Sequence, residues 1–343
     1  MTINEWQERF NWFFYKQRLY LPIIPHIVKL GYNARNLSFF TAVNPGLKNG
    51  GFVNASKYEV LKQIPDKFLP KTLYIDPSRQ KEEIITALET NGWYKYPLIA
   101  KPDVGERGYG VCKINNVSEL IQYRKHAKSF YLLQEFVDMP LEVCILYYRM
   151  PGASRGNISS IGFKEFLKVT GNGKNTLYEL IVNNTYIKQN INLKQYLKKH
   201  ASRLHEVPEA GHEVRITDVA SRGTGVLFKN YNHLYSEKLV SVFDRISKPV
   251  NGFYYGRYDI KVNSFEELQR GENIKILELN GVNGQPIHCY DPEFSKAQFI
   301  KEMKKHWDII YNISTANIEK YHLKPSSLTL LKDIIQHINK YQS

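Results

Sequence analysis

Short apolar runs of strand type and stretches with apolar residues three and four apart follow one another along the whole chain. Residues 37–43 (LSFFTAV) read as a buried strand, closed by a turn at Asn44-Pro45-Gly46 and a glycine pair, Gly50 and Gly51. A helix is expected from Ser56, an N-cap residue, to Ile64, where Pro65 ends it. Residues 72–75 are strand-like, and 81–91 are helical with Gly92 as the C-cap. Two strands, 96–101 and 110–114, flank a loop carrying Gly105, Gly108 and Gly110. Ser118 opens another helix, 130–136 (FYLLQEF) reads as a buried strand, and 143–149 is a strand by its β-branched and aromatic content. Helices are expected at 175–184, at 236–246 and from about Phe294 onward. Strands and helices do not alternate as βαβ units, and no repeat of roughly 20–50 residues is visible. The expected class is therefore α+β lobes, not a doubly wound sheet or a solenoid.

The segment from Trp12 to Leu30 (WFFYKQRLYLPIIPHIVKL) stands apart, aromatic and apolar but carrying Lys16, Arg18, His26 and Lys29. Pro22 and Pro25 break any long helix there. It reads either as an in-plane membrane contact or greasy pocket wall, or as a helix and turn packed on the main body. No stretch reaches the ~18 uninterrupted apolar residues of a spanning helix. The start, MTINEWQERF, lacks the basic run and apolar core of a secretion signal.

Composition narrows the partner. The chain has 343 residues, and 47 Lys and Arg against 33 Asp and Glu leave a net charge of +14. The partner is then anionic: a nucleotide, an acidic substrate, a membrane surface or nucleic acid, with the last disfavoured. Charged residues at 23% and hydrophobic ones at 43% exclude wholesale disorder. Cys112, Cys144 and Cys289 are far apart with no CxxC pair, which argues against a disulfide framework and a Cys-rich zinc site. A cytoplasmic location is expected, with a peripheral place at the inner face of the membrane as the alternative.

Three constellations carry chemistry. In YPLIAKPDVGERGYGV a strand delivers Lys101, and the glycines after it let backbone N–H groups approach a polyphosphate. Neither GxxxxGK[ST] nor GxGxxG occurs, which removes support for P-loop and Rossmann readings. In FYYGRYDIKV and IKILELN, period-two alternation puts Arg257 with Asp259 on one face and Glu278 with Asn280 on one face. Ile276 shares the parity of Glu278. Oxygen ligands on facing strands beside an arginine suit Mg²⁺ holding nucleotide phosphates, whereas a surface ion pair is the plainer alternative. In LLQEFVDMPLEV a buried strand leads through Gln134, Glu135 and Phe136 to Glu142, a carboxylate able to accept from hydroxyls. Arg215 and Arg222 could hold a substrate carboxylate by bidentate pairing, or belong to a surface turn. His288 follows the Glu-x-Asn strand, and the other histidines lack zinc-binding spacing. No Gly-x-Ser-x-Gly elbow supports a hydrolase triad.

In this order the motifs resemble the ATP-grasp superfamily, the fold of D-alanine–D-alanine ligase, over roughly residues 57–290. The resemblance implies two α+β lobes that clamp ATP, behind a short N-terminal unit. The boundaries are 1–56 for that unit, 57–135 for a small lid lobe, and 136–343 for a large lobe with the metal site and C-terminal helices. It further implies that Lys57 and Lys101 contact phosphates under the Gly105–Gly110 loop. Gln134, Glu135 and Phe136 would read adenine, and Glu142 would hold the ribose. Asp259, Glu278 and Asn280 would bind two Mg²⁺, or Mn²⁺, with Arg257 stabilising developing charge. The stretch KEFLKVTGNGKNTLYELI resembles the GDGxxTIxELI segment of cyanophycin synthetase and related ligases. It places Lys164 where those enzymes carry an arginine near the reacting phosphoryl group, and Asn172 where they carry aspartate. FFTAVNPG and NGQPIHCYDP resemble a bacterial group within the superfamily.

What the resemblance implies is an ATP-dependent, ADP-forming carboxylate–amine ligase working through an acyl phosphate. Its substrates would be small-molecule carboxylates and amines, with an anionic lipid as a further candidate. A kinase phosphorylating a hydroxyl, or a non-catalytic nucleotide-binding module, are the alternatives. The N-terminal unit is shorter than the usual substrate domain, and the Pro-Gly pair expected after Asn280 is replaced by GVNGQPIHCYDP.

Overall fold

The computed structural model describes residues 20–92, 95–105, 108, 110–191, 193–216 and 226–342. It divides into two compact units, each discontinuous in sequence. The first comprises 1–70, 143–162 and 230–343, and the second 71–142 and 163–229. Helices α1 (Ile24–Asn33) and α2 (Lys57–Leu61) come first, with 3-10 turns at Phe39–Ala42 and Lys48–Gly51 between them. Then follow β1 (Thr72–Ile75), α3 (Lys81–Thr90), β2 (Leu98–Pro102), β3 (Cys112–Ile114), α4 (Val117–His126) and β4 (Tyr131–Glu135). Strands β5 (Leu141–Tyr148), β6 (Asn157–Phe166) and β7 (Lys168–Thr170) lead into α5 (Leu177–Asn183), α6 (Thr185–Asn190) and α7 (Leu193–Lys199). After β8 (Glu213–Arg215) and β9 (Val226–Asn230) come α8 (Glu237–Ser247), β10 (Tyr255–Val262), α9 (Phe265–Arg270) and β11 (Lys275–Asn280). Helices α10 (Lys296–Tyr321) and α11 (Ser327–Gln342) follow.

The class is α+β, as the absence of βαβ alternation leads one to expect. The pairings β1–β4, β2–β4, β2–β3, β7–β8 and β10–β11 are all antiparallel. In the second unit a four-stranded sheet runs β1-β4-β2-β3. Its inward face meets the apolar stripes of α3 and α4 through Ile84, Leu88 and Leu120, which pack with Leu98, Tyr131 and Leu133. Helix α4 starts where a polar side chain takes an otherwise orphaned amide: Asn116 Oδ1 accepts from Glu119 N at 3.0 Å. A separate core in the same unit packs Leu177 and Ile181 of α5 against Val169 and Val214 of the β7–β8 pair.

A five-stranded sheet is ordered β11-β10-β5-β6-β9. In the first unit Phe39, Val43, Leu146, Tyr255, Ile310 and Ile313 form a core between this sheet's strands and α10. Asn44 is fully buried within it. Its Oδ1 accepts from the amides of Tyr254 (2.8 Å) and Tyr255 (2.9 Å), and its Nδ2 donates to the carbonyls of Gly50 (3.0 Å) and Tyr255 (2.7 Å). All four hydrogen-bonding positions of that amide are used, so the Asn44 turn is locked onto the start of β10.

Several expectations need correcting. Residues 37–43 form no strand; the chain makes a 3-10 turn at Phe39–Ala42. Asn36 Oδ1 accepts from Ser38 N at 2.8 Å and Thr41 Oγ1 donates to Ser38 O at 2.8 Å, so local polar groups satisfy the backbone that a ladder would have used. An apolar run alone does not separate a buried strand from a buried turn. The short helix α1 begins at Pro25's own turn, in keeping with the prolines breaking any longer helix there, and in its first turn the missing N–H of Pro25 costs nothing. The helix expected at Ser118 begins one residue earlier, after the better cap Asn116. Of the segment from Trp12 to Leu30, residues 12–19 lie outside the described residues. The three cysteines are free. Among the described residues no helix is long and apolar enough to cross a membrane.

Candidate active site

In the first unit, β10 and β11 bring four of the sequence-predicted residues together. Asp259 stands directly opposite Glu278, and Arg257 directly opposite Asn280. With period-two side chains on both strands, that register sets all four on one face. Beyond Asp259 the register shifts, so that Ile260 pairs with Ile276 and Leu277 is the extra residue of a bulge. The parity expected for Ile276 is thereby broken. It turns to the buried side with Ile260, and both are 0% exposed. The bulge lets a strand with an apolar core half end in a polar, partly exposed half.

Each carboxylate already holds a cation. Arg257 makes a forked pair with Asp259, Nε to Oδ1 at 2.7 Å and Nη2 to Oδ2 at 3.2 Å. Burial works against the Arg257 charge, but Asp259, Cys144 and Glu278 outweigh it and hold the guanidinium above its usual range. Lys57 Nζ lies 3.8 Å from Glu278 Oε1. It is carried by α2, whose N-terminus is capped by Ser56 accepting from Glu59 N at 3.1 Å. Lys57 thus stands with the acidic pair in the first unit, whereas Lys101 belongs to the second unit.

The loop after β11 completes this face. A side chain on Gly51 would meet Gly281 Cα at 2.6 Å, and one on Gly284 would meet Arg257 Cβ at 3.0 Å. Both glycines are required by close approach of backbone to the site. Val282 N donates to Gly50 O at 2.9 Å, tying this loop to the N-terminal segment. Among the described residues, Asn280 Nδ2 and Asn283 Oδ1 are buried polar atoms with no hydrogen-bond partner. Asn44 and Asn283 are the neighbours that motif reading missed; their signal is the recurrence of Asn one or two positions ahead of Gly in NPG, NGG and GVNGQP.

His288 lies in the 3-10 turn Ile287–Tyr290 that follows the β11 loop. It is buried, and its Nδ1 lies 2.7 Å from Ser160 Oγ. Burial lowers its pKa to about 4, with Glu302 opposing and Lys305 adding to the shift. An interior imidazole with Cys289 as its 3.5 Å neighbour is part of the core rather than of an open face.

The second unit carries the remaining residues. Lys101 is buried on β2, next to the hairpin it was expected to begin. Gly108 and Gly110 take φ of 73° and 71°, and a side chain on Gly110 would meet Pro102 Cγ at 2.7 Å. Gly105 lies in the same loop; Glu106, Arg107 and Tyr109 are outside the described residues. Gln134 is buried and donates from Nε2 to Thr72 Oγ1 at 3.0 Å. The Glu135 amide donates to Lys71 O at 3.0 Å, and Lys113 Nζ sits 4.4 Å from the Phe136 ring centroid. Glu142 and Lys164 form a buried ion pair at 2.6 Å. Arg215 stacks its guanidinium 4.1 Å from the Phe166 ring centroid, and Arg222 lies outside the described residues. Asn172 Oδ1 accepts from the amides of Lys174 (3.0 Å) and Asn175 (2.8 Å), the bonding of a tight turn ahead of α5.

The donor set at β10–β11 is two carboxylates and one amide, all hard oxygen ligands, which fits Mg²⁺. Among the described residues no cluster of three or more His, Cys, Asp or Glu side chains could hold a metal. A cation here would therefore take its other ligands from water or phosphate oxygens, as Mg²⁺ usually does.

No protein-family model matches the chain, and a search of curated proteins finds no match. Among solved structures, the chain is similar to a bifunctional glutathione synthetase from Pasteurella multocida, at 12% identity and TM-score 0.36 over 75% of this chain. It is also similar to the VanG D-Ala:D-Ser ligase from Enterococcus faecalis, at 13% identity and TM-score 0.42 over 76% of this chain. A D-alanine–D-alanine ligase from Bacillus anthracis complexed with ATP matches at 12% identity and TM-score 0.41 over 76% of this chain and 65% of that one. The matches span 38% of the synthetase and 61% of the VanG enzyme.

Proposed function

We propose that the chain is an ATP-dependent, ADP-forming carboxylate–amine ligase of the ATP-grasp kind. The observation that carries this reading is the β10–β11 register, which sets Arg257, Asp259, Glu278 and Asn280 on one face with Lys57 beside them. In the proposal, Asp259, Glu278 and Asn280 are the residues that hold Mg²⁺, two ions or Mn²⁺ in their place. The ions would neutralise phosphate oxygens during phosphoryl transfer. The orphaned Asn280 amide and Asn283 carbonyl support a polar occupant, since a buried polar atom left without a partner costs about 1–3 kcal/mol.

The chain's own contribution is charge placement and orientation. Arg257 and Lys57 each rest on a carboxylate and can exchange it for an anionic oxygen. Asp259, through its forked pair, fixes the plane of the Arg257 guanidinium, and the Gly284 backbone against it sets its position along the strand. Of the second unit, Lys101 and the Gly105–Gly110 loop would serve the phosphates, Gln134 to Phe136 the base, and Glu142 the ribose. Gln134 acts there through its backbone, its side chain being engaged by Thr72. Lys164 orients Glu142 through their 2.6 Å ion pair in this reading. A substrate carboxylate oxygen bonds to the γ-phosphorus of ATP as the bond to ADP breaks. An amine nitrogen then bonds to the acyl carbon, loses a proton, and phosphate leaves with the C–O electron pair.

The test is product release from MgATP across a panel of carboxylic acids crossed with amines, with Glu278→Ala as the blank. ADP and phosphate appearing only when acid and amine are both present supports the ligase. ADP without phosphate, with one hydroxylated compound sufficing, would replace it by a kinase.

A further inference from the structure

Helix α11 has two faces of opposite character. Leu330 and Asp333 are buried, and His337 Nδ1 reaches Asn54 Oδ1 at 2.7 Å, so this side is docked. Asp333 is held by Lys48 Nζ at 2.8 Å and by Asn49 Nδ2 at 3.0 Å. On the other side Leu328, Leu331, Ile335 and Ile338 are 64%, 53%, 49% and 47% exposed. Their spacing of three and four residues makes one continuous stripe along the helix.

Helix α1 repeats the pattern. Ile23 and Leu30 face the core, while Leu21, Ile24, Val28 and Tyr32 form an exposed stripe on the other side. The end of α1 is tied to the start of α11: Asn36 Nδ2 donates to Pro325 O at 2.8 Å, and Ser327 Oγ donates to Ser38 Oγ at 3.2 Å. Leu37, exposed, lies at this seam. The two stripes therefore border one junction within the same unit.

The charges around them have one sign. Residues 21–38 contain no acid, and residues 321–342 contain only Asp333, which is buried under Lys48. Lys29, Arg35, Lys324 and Lys332 are exposed. The acid that faces α1 from α10, Asp308, is taken up by His26 at 2.7 Å. An apolar stripe flanked by cations, with the buried Asp333 the one acid in residues 21–38 and 321–342 and the half-exposed Asp308 beside them paired with His26, complements a surface that is both apolar and anionic. A second copy of the same face would meet it with like charge, and nucleic acid would leave the aliphatic stripe uncovered. The sequence just ahead, WFFYKQR, has the same aromatic and basic composition.

We propose that the stripes of α1 and α11 dock the protein in plane on an anionic lipid bilayer. The docking stands independently of the ligase reading and uses none of its residues. The apolar side chains enter the headgroup–acyl boundary, and the lysines and Arg35 meet lipid phosphates.

Co-sedimentation of the full chain with vesicles tests it. Binding is expected to phosphatidylcholine vesicles containing phosphatidylglycerol, weaker binding to phosphatidylcholine alone, and loss of the difference at about 1 M salt, where charges are screened within ~3 Å. Leu331→Glu/Ile335→Glu is expected to lower anionic-vesicle binding at least tenfold with an unchanged denaturation midpoint. Lys324→Glu/Lys332→Glu, which leaves the stripe intact, is expected to abolish the preference for anionic vesicles. Absence of binding, or equal binding by wild type and both variants, would overturn the proposal. So would a wild-type dimer in analytical ultracentrifugation that Leu331→Glu/Ile335→Glu converts to monomer, since a second copy would then cover the stripe.

Discussion

Asp259 and Glu278 each carry a cation and each face an antiparallel neighbour, so changes at them separate chemistry from folding. Glu278 is partly exposed, and Glu278→Ala is expected to keep the denaturation midpoint while lowering turnover by about 10²–10³-fold, the usual cost of an electrostatic group in a transition state. Buried Glu142 and Lys164 behave differently. Lys164→Ala leaves a carboxylate buried without its partner and should destabilise the fold by about 3–5 kcal/mol, read from urea midpoints. Replacing both by Gln and Met should recover much of that loss. His288 and His306 add a pH dependence: burial lowers them to about 4 and about 3, with the neighbouring His288 and Lys305 charges adding at His306. The unfolded chain takes up these protons below pH ~6.5, while the folded protein does not until those lower values. Stability is therefore full above pH ~6.5 and falls as pH drops, by at most ~1.4 kcal/mol per pH unit for each histidine. It levels off once the folded form protonates. His306→Phe should flatten the slope of urea midpoint against pH.

At the scale of elements, caps and strands were legible where local chemistry decides them. Ser56, Ser236 and Gly92 bound their helices as turn and cap chemistry requires, and 72–75, 131–135 and 255–262 pair as strands. The misreadings share a cause. Residues 37–43 and the parity of Ile276 depend on which partner arrives opposite, which an apolar run does not specify. Strand β6, of ten residues, drew no expectation because Ser, Gly and Lys interrupt its apolar pattern and its burial comes from neighbours distant in sequence. The β11 loop offers a test at this scale. A side chain on Gly281 would run into Gly50 O, so Gly281→Ala should move the residue after Asn280. Turnover should fall together with the denaturation midpoint, whereas Gly211→Ala, with nothing within 4 Å but φ of 83°, should affect stability alone.

At the scale of the molecule, each unit is assembled from separated stretches of chain, and the sequence-predicted residues fall into two sets. Lys57, Arg257, Asp259, Glu278 and Asn280 belong to the first unit, and Lys101, Gln134, Glu142 and Lys164 to the second. MgATP, bound as proposed, should stabilise the protein by ~2.7 kcal/mol at a hundredfold excess over its dissociation constant. Calorimetry with and without MgATP reads that shift. Glu278→Ala should reduce it when Mg²⁺ is present and leave it unchanged with ATP in excess EDTA. An equal shift for wild type and variant in Mg²⁺ would detach the acidic pair from nucleotide binding.

The sequence by itself determined the class, most helix starts, and the residue types proposed to carry the chemistry. These follow from side-chain period, cap chemistry and ligand hardness, all written within a few positions of each residue. Tertiary structure alone decided that Asp259 faces Glu278, that Lys57 joins them, and that Glu142 closes on Lys164. It also decided that His288 is interior, and that the Asn44 turn is built into the start of β10. Each of these is a contact between residues far apart in the chain, set by strand register and by which buried polar groups find partners. No local pattern encodes that.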